Sequence, residues 1–341
     1  MMNQNQILFH SGNCLNLKKP YPRECRLCIQ FCPHGAINEI KNIDQSKCTE
    51  CGVCMTVCPS DGFVDRDMDN LGKYLLEGDR ITLHCPLAKP EGYEISCLGM
   101  LDRDVWTTIM LLADLKQVNI LTGDCGSCDD RQACAVSVAL LKELLQEWKD
   151  HPQIKIEIMP WEGDSPEKGD LNNEARNQGL AGWREKGKTQ IKNIFPGLEA
   201  EVTYHTPKSR QWFAKSLQMN PDKKIPYKAV KANENCTSCG VCTKICPQEA
   251  LQQIQKEGKN RLIYEPSKCV QCNRCVEICG PEALRFEYVD FSYRFLTGKI
   301  LLIETIAKYC AKCGKQIFHN AEPQLCMACA AQDPDLKGVL Y

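Results

Sequence analysis

The fold of this chain is decided by a cysteine run that reads Cys236-Thr237-Ser238-Cys239-Gly240-Val241-Cys242-Thr243-Lys244-Ile245-Cys246-Pro247. The same intervals recur further along, at Cys269, Cys272, Cys275 and Cys279. Near the N-terminus the spacing returns at Cys48, Cys51, Cys54 and Cys58, and a shorter run holds Cys25, Cys28 and Cys32. Three runs of one spacing, together with a fourth that almost repeats it, do not arise by chance. The sequence therefore carries two copies of one supersecondary unit.

Tight turns in this spacing direct three thiolates to one corner of a metal cluster, and a proline after the last cysteine prevents the chain from continuing as a helix. Both regions resemble the bacterial two-cluster ferredoxins, in which three thiolates of a run hold one [4Fe–4S] cube and the fourth ligates the other cube. Structural zinc is disfavoured because zinc-binding pairs are usually separated by a longer loop.

For the C-terminal module, residues 233–290, the resemblance implies two complete cubes. One is held by Cys236, Cys239, Cys242 and Cys279, and the other by Cys269, Cys272, Cys275 and Cys246. After Cys279 the chain reads Gly280-Pro281, whereas proline follows the other last cysteines directly. This departure predicts a turn that is shifted by one residue.

The N-terminal module, residues 1–69, lacks one ligand. The resemblance implies a full cube on Cys32, Cys48, Cys51 and Cys54. The other cube has Cys25, Cys28 and Cys58, but Pro22 occupies the position of its fourth cysteine. Cys14 is the nearby thiol, and we expect the turns around it to bring it to this site. A three-iron cluster or an open iron is the alternative.

Between the modules, residues 78–161 alternate strands and helices, which predicts a small α/β layer fold with a helix capped by Asp102. The elements Cys97-Leu98-Gly99 and Gly123-Asp124-Cys125 resemble the thioredoxin-like [2Fe–2S] ferredoxins, and more closely the small iron–sulfur subunit that joins a hydrogenase to heterodisulfide reductase. The resemblance implies a [2Fe–2S] cluster on Cys85, Cys97, Cys125 and Cys128, with Cys134 as a spare thiol. Another cluster, zinc or merely buried cysteines are alternatives, and Cys125 with Cys128 could act as redox thiols.

Residues 162–232 are interpreted as a basic connector. Within it, the segment 208–213 (Lys-Ser-Arg-Gln-Trp-Phe) is interpreted as a solvated amphipathic turn, with a partner-docking segment as the alternative. The tail, residues 305–335, places Cys310, Cys313, Cys326 and Cys329 in two pairs that resemble a zinc ribbon with a closed four-cysteine site. A rubredoxin-like iron or a fifth cube would use the same ligands. His319 lies between the pairs and is expected to be a surface residue.

The sequence thus predicts an α+β protein in which two dicluster ferredoxin modules flank a small α/β (thioredoxin-like) domain, followed by a zinc-ribbon-like tail. Its expected cofactors are four [4Fe–4S] clusters, one [2Fe–2S] cluster and one Zn²⁺. The 25 cysteines, with no export signal at the N-terminus, favour metal ligation in a reducing cytoplasm. No stretch is long and apolar enough to insert into a membrane, and a net charge of −1 argues against nucleic acid as a partner.

We expect an electron-transfer subunit of an anaerobic, multi-subunit oxidoreductase of the hydrogenase, formate dehydrogenase or heterodisulfide reductase type. Partner subunits would carry a flavin, a hydrogenase centre or a molybdenum or tungsten centre. No nucleotide-binding loop or catalytic set of side chains is recognisable. The alternative is a self-contained small reductase, with chemistry at an open iron beside Cys14 or at the pair Cys125 and Cys128. A third hypothesis is a scaffold in which some clusters only stabilise the fold.

Overall fold

The computed structural model describes residues 6–19, 21–161, 163, 205–319 and 324–333. The described residues fall into two compact units. Unit 1 comprises residues up to 18 and residues 22–221, and unit 2 comprises residues 19–21 and those from 222 onwards. Most of the predicted connector, residues 164–204, lies outside the described residues. No helix in the described ranges has the length and apolar character needed to cross a membrane.

Unit 1 begins with a short antiparallel pair of strands that encloses the first two cysteine runs. Strand β1 (Ile7–Phe9) pairs with β2 (Phe63–Asp65), and their Phe9 and Phe63 rings lie 5.1 Å apart. Between them the chain forms the short helices α1 (Leu15–Lys18), α2 (Leu27–Gln30) and α3 (Val53–Val57). The first and last residues of the module are therefore adjacent, and the cysteine-bearing turns lie between them.

The rest of unit 1 is built on a four-stranded parallel sheet with the order β4-β3-β5-β6. Its strands are β3 (Ile81–His84), β4 (Tyr93–Glu94), β5 (Val118–Thr122) and β6 (Lys155–Ile158). Strand β3 is buried along its whole length, which is typical of a parallel sheet covered on both faces. Helices α4 (Met68–Glu77), α5 (Arg103–Leu112) and α6 (Arg131–Glu147) alternate with these strands along the chain.

Helix α5 begins where the sequence predicts. The Val105 amide donates to Oδ1 of Asp102 at 2.8 Å, so Asp102 caps the helix. The helix is buried on almost every side, and Trp106 at its centre donates through Nε1 to the Ser137 hydroxyl of α6 at 2.8 Å. This bond satisfies the indole N–H inside an apolar core.

The segment 208–213 is neither a solvated turn nor an exposed docking segment, which corrects both interpretations. It starts a twelve-residue helix, α7 (Lys208–Met219), whose Trp212, Phe213 and Leu217 are buried within unit 1. Arg210 Nε donates to Asp104 Oδ2 of α5 at 2.5 Å, with both side chains at least nine-tenths buried. A Cβ on Gly72 of α4 would lie 2.3 Å from the Trp212 indole nitrogen. The helix therefore belongs to the core.

Unit 2 contains the C-terminal ferredoxin module, and it begins earlier than predicted. Strand β7 (Ile225–Ala232) pairs along eight residues with β10 (Leu284–Phe291). Residues 225–232 are thus a strand of the module and not part of the connector. Because β7 has buried positions that alternate with partly exposed ones, its pattern is that of a half-buried strand.

A second sheet of unit 2 has the order β11-β9-β8. The strands are β8 (Leu251–Lys256), β9 (Lys259–Tyr264) and β11 (Ile300–Ile306), with helix α10 (Tyr293–Thr297) before β11. Two short helices, α8 (Val241–Ile245) and α9 (Arg274–Glu277), lie within the cysteine runs. The tail adds the strand pair β12 (Lys308–Tyr309) and β13 (Gln316–Ile317) and a helical turn, α11 (Met327–Ala330).

The buried ion pair of unit 1 yields a test of this packing. Replacing Arg210 by Met removes the guanidinium that pairs with the buried Asp104 carboxylate, so we expect the free energy of unfolding to fall by about 3–5 kcal/mol. The matched control is Lys155→Met, which removes one partner of an exposed pair with Glu157 and should cost about 1 kcal/mol or less. Denaturant unfolding followed by circular dichroism measures both. Equal losses in the two variants would contradict the assignment of α7 to the core.

Candidate iron–sulfur and metal centres

The cysteine runs are shaped by residues with left-handed backbone conformation. In three runs the residue before the second cysteine and the residue after it both have positive φ. These residues are Glu50 and Gly52, Ser238 and Gly240, and Gln271 and Asn273. L-residues rarely adopt this conformation, so its repetition marks a built turn. The successive reversals of the chain let three sulfurs of a run point to one side.

Each run also ends in the same turn. The third residue after the last cysteine has positive φ, and the amide of the fourth residue donates to the cysteine sulfur at 3.2–3.3 Å. The donors are Ala36, Gly62, Ala250 and Ala283, and the acceptors are Cys32, Cys58, Cys246 and Cys279. Cys279 follows this rule without a shift, so the predicted one-residue displacement caused by Gly280-Pro281 is wrong. These N–H groups stabilise negative charge on the sulfur.

In unit 2 the sulfurs gather across the two runs. One cavity is bordered by Cys246 of the first run together with Cys269, Cys272 and Cys275 of the second. Another is bordered by Cys236, Cys239 and Cys242 together with Cys279. Each of the two cavities thus collects three cysteines of one run and the last cysteine of the other. A [4Fe–4S] cube is held by four cysteine sulfurs, so each of these two groups has the number and type of ligands that a cube needs.

Burial disfavours the ionisation of three of these thiols, Cys242, Cys272 and Cys275. The pKa of Cys242 and of Cys272 is raised to about 12 each, chiefly by burial and in smaller part by neighbouring cysteine thiolates. The pKa of Cys275 is also raised, chiefly by burial. Because four thiolates cannot share such a site unaided, their ionisation depends on the positive charge of bound iron.

The N-terminal module forms two comparable groups. The pKa of Cys51 is raised to about 11, mainly by burial, and Cys32 contributes across the run. Cys48 and Cys54 also interact electrostatically with Cys32, so these four cysteines form one group. The other cavity is bordered by Cys14, Cys25, Cys28 and Cys58. The structure therefore brings Cys14 to the incomplete site.

Sequence reasoning missed the residue that holds Cys14 there. Asn16 Nδ2 donates to the carbonyl of Cys25 at 3.0 Å, and the Cys25 amide donates to Asn16 Oδ1 at 2.9 Å. These two bonds connect the turn around Cys14 directly to the turn around Cys25, which in a complete run are joined by a short stretch of chain. An amide two residues after an isolated cysteine is too common to be recognised in a sequence.

Sequence reasoning also missed Lys41, which borders the Cys14 cavity although its side chain is only 7% exposed. Its Nζ donates to the Glu39 carbonyl at 3.1 Å. The pKa of Cys28 is raised to about 11, mainly by burial, and the charge of Lys41 acts in the opposite direction. A buried cation beside this group stabilises additional negative charge at the site.

In the α/β domain the structure groups Cys134 with Cys85, Cys125 and Cys128. The pKa of Cys134 is raised to about 12, first by burial and then by Cys125, Cys85 and Cys128. The Gly123 amide approaches Cys85 Sγ at 3.4 Å, and the Asp130 amide approaches Cys128 Sγ at 3.4 Å. Cys134, predicted to be spare, therefore lies close to the other three thiols.

Cys97 lies in a different environment from these four thiols. Its sulfur accepts from the Gly99 amide at 3.2 Å, and its pKa is raised mainly by burial. Its closest electrostatic partners among the cysteines are Cys134 and Cys51 of the N-terminal module. Cys97 thus lies between the α/β domain's thiol group and the Cys32 group.

Three hydrogen bonds within unit 1 connect these two regions. Asp130 Oδ1 accepts from Thr49 Oγ1 at 2.7 Å and from His34 Nε2 at 2.8 Å. Thr56 Oγ1 donates to the Gly99 carbonyl at 2.6 Å. Since Thr49 and His34 belong to the runs that hold the Cys32 group, Asp130 links that group to Cys128.

The tail has a different geometry, suited to a single ion. The sulfurs of Cys310, Cys313, Cys326 and Cys329 all lie within 4.8 Å of one another, and those of Cys313 and Cys326 are 3.7 Å apart. A tetrahedron with metal–sulfur bonds of about 2.3 Å predicts a sulfur separation of about 3.8 Å. The pKa of Cys310 is lowered to about 6, chiefly by the backbone amide of Cys326. His319 Nε2 donates to the Leu325 carbonyl at 2.9 Å.

Comparison with known proteins agrees with the geometry of both ferredoxin regions. Residues 228–280 match the 4Fe-4S dicluster domain family, and residues 41–63 match the 4Fe-4S binding domain family. The chain is therefore an iron–sulfur protein that contains two ferredoxin-type 4Fe-4S regions.

Two curated proteins share short segments with it. One is a subunit of the ion-translocating oxidoreductase complex of Methanosarcina acetivorans, which is 47% identical over 38 residues, 10% of this chain and 14% of that protein. The other is the PorD subunit of pyruvate synthase of Methanothermobacter marburgensis, which is 44% identical over 36 residues, 11% of this chain and 44% of that protein. The chain therefore covers less than half the length of either relative.

The position of Cys14 predicts the outcome of its removal. In Cys14→Ala the group of Cys25, Cys28 and Cys58 keeps three thiols, so we expect the loss of one to about four iron atoms per chain. The signature is a three-iron electron paramagnetic resonance signal after oxidation, or the disappearance of one cube. Leu17→Ala is the control, because Leu17 lies three residues after Cys14, in helix α1, and is 65% exposed. An unchanged iron content in Cys14→Ala would contradict ligation by this residue.

A second pair of variants tests the thiol group of the α/β domain. We expect Cys134→Ala to remove the cluster of this domain, about two iron atoms per chain, while Cys97→Ala retains it. Iron analysis and visible circular dichroism distinguish the two variants. Loss of iron only in Cys97→Ala would instead support the ligand set predicted from the sequence, which is Cys85, Cys97, Cys125 and Cys128.

Proposed function

We propose that this chain is an electron-transfer subunit that passes electrons between partner subunits of a multi-subunit oxidoreductase. The observation that carries the proposal is that each cysteine group of the ferredoxin regions combines cysteines from two runs. In each group a backbone N–H also donates to a cysteine sulfur. When bound, the clusters supply one-electron redox chemistry. The described side chains hold the sulfurs in place, exclude water and adjust the local charge.

The arrangement within unit 1 supports a continuous path. The pKa of Cys54 is raised well above its usual value, mainly by burial, and Cys58 of the Cys14 group is among its thiolate neighbours. On the other side, Asp130 and Cys97 connect the Cys32 group with the thiol group of the α/β domain. We infer the order Cys14 group, Cys32 group, α/β domain group, with a [2Fe–2S] cluster at the last.

In unit 2 the two cysteine groups are adjacent in the same way. The pKa of Cys275 is raised mainly by burial, and Cys242 of the other group is among its thiolate neighbours. We assign a structural zinc ion to the tail, because its sulfur separations fit one tetrahedral ion and its ligand set is closed.

Partner subunits are proposed from the relatives. Both relatives are named as subunits, one of an ion-translocating oxidoreductase complex and one of pyruvate synthase. This chain has no recognisable catalytic set of its own, and we place it in a cytoplasmic, anaerobic complex whose other subunits carry the substrate chemistry.

The alternative of a self-contained reductase at Cys125 and Cys128 has less support. A redox-active thiol requires a lowered pKa, whereas burial raises the pKa of Cys128. Turnover by the isolated chain with an artificial electron donor would favour this alternative over the proposed function.

Metal analysis tests the proposal as a whole. For the chain purified without oxygen, four cubes and one [2Fe–2S] cluster predict about 18 iron atoms and about one zinc ion. Dithionite should reduce all iron centres, as measured by electron paramagnetic resonance. A content near eight iron atoms would show that the N-terminal module is not part of the electron path. Iron centres that dithionite does not reduce would favour the scaffold hypothesis.

Lys41 predicts a redox effect at one cube. Removing its buried charge in Lys41→Met destabilises the more negative, reduced state, so the midpoint potential of the Cys14 group's cube should fall by roughly tens of millivolts. Lys47→Met is the matched control, because Lys47 is 58% exposed and forms a surface pair with Asp44. Potentiometric titration measures both variants. A rise in potential, or an equal shift in the control, would contradict the role of Lys41.

A further inference from the structure

One cavity of unit 2 is far larger than the space that a cube needs. The cavity bordered by Cys236, Cys239, Cys242 and Cys279 has a volume of about 540 Å³. The cavities at the Cys246 group and at the Cys14 group have volumes of about 20 Å³ each. A cube has the same size at each site, so the large cavity retains room beside it. Its volume is within the range of small-molecule pockets, about 300–1,000 Å³.

The walls of this cavity come from two parts of unit 2. The ferredoxin module contributes strand β9 and the turns at Gly240 and Gly280, and the tail contributes strand β13 and the residues around Leu325. Most of the lining is apolar, including Leu262, Leu284, Ile317 and Leu325. The one charged side chain of the described lining, Lys315, is exposed. The walls therefore suit a neutral and largely apolar molecule.

Two polar side chains in this lining have unused hydrogen-bonding capacity. Asn260 is 2% exposed, and neither its Oδ1 nor its Nδ2 has a partner among the described residues. The buried Nδ1 of His319 also has no partner there. Because His319 Nε2 donates to the Leu325 carbonyl, Nδ1 of the neutral ring is an acceptor. Buried polar atoms of this kind are normally paired.

A cube cannot satisfy these atoms. Cysteine sulfur and inorganic sulfide accept hydrogen bonds, so at most Asn260 Nδ2 could donate to them. Asn260 Oδ1 and His319 Nδ1 both require donors. Water could supply donors, but an ordered water needs two to four polar partners, and most of this wall is apolar.

We propose that this cavity binds a small neutral aromatic molecule that carries hydroxyl donors at its edge, of the quinol type. An aromatic ring system presents an apolar body to Leu262 and Leu284 and directs hydroxyl groups to Asn260 Oδ1 and His319 Nδ1. The bound molecule lies beside the Cys236 group. The proposal concerns binding and does not depend on the role of the chain in electron transfer.

Calorimetric titration of the full chain, purified with its clusters without oxygen, tests this site. The probe is 2,6-dihydroxynaphthalene, and its dimethoxy analogue is the control ligand because it has the same body without donors. We expect one probe per chain and an affinity for the analogue that is lower by about tenfold or more. No binding of the probe, or equal binding of the two compounds, overturns the proposal.

The variant Asn260→Leu removes both unpaired amide atoms at nearly constant volume. We expect the affinity for the probe to fall by about tenfold, while the unfolding temperature stays equal or rises because a buried unpaired group is lost. Gln255→Leu is the matched control, since Gln255 pairs with Asn260 in the β8–β9 hairpin but is exposed. An unchanged affinity in Asn260→Leu, or an equal loss in Gln255→Leu, overturns the assignment to this cavity.

Discussion

The crowding of buried thiols is the constraint on which the rest of the structure depends. The pKa of Cys51 is raised to about 11 and that of Cys242 to about 12, chiefly by burial, with nearby thiolates contributing to both. Such groups become thiolates together only when a cation shares the site. In unit 2 the apolar core of Ala229, Val230, Leu251 and Leu284 packs directly against the cysteines. Metal bound at these cysteines would therefore also stabilise the packing of this core.

Backbone N–H groups also stabilise the negative charge of the crowded sulfurs. Each run ends with an amide that donates to its last cysteine, and the required turn places a residue at positive φ. The same turn forms after Cys279 although glycine replaces proline there, because the hydrogen bond and the left-handed residue define the turn. Proline only prevents an alternative helical continuation.

In the tertiary structure of unit 1, residues 208–219 of the predicted connector belong to the core. Arg210 is paired with Asp104 inside the unit, and Trp212 packs against Gly72. Helices α4, α5 and α7 thereby hold the α/β domain, while Asp130 and Gly99 bind side chains of the N-terminal module. The relative placement of the Cys32 group and the α/β thiol group follows from these contacts, which supports the proposed electron path.

The sequence by itself determined the cysteine groups of the ferredoxin runs, the cap at Asp102 and the four-cysteine group of the tail, because spacing along the chain dictates local turns. Only the tertiary structure decided the remainder. The closeness of Cys134 to Cys85, Cys125 and Cys128, the bonds from Asn16 to Cys25 and the burial of Lys41 depend on contacts between segments far apart or on side-chain direction. Tertiary contacts also decided that residues 208–219 form a core helix and residues 225–232 a strand of the ferredoxin module. A helix or strand with mixed polarity becomes part of a core only when another surface covers it.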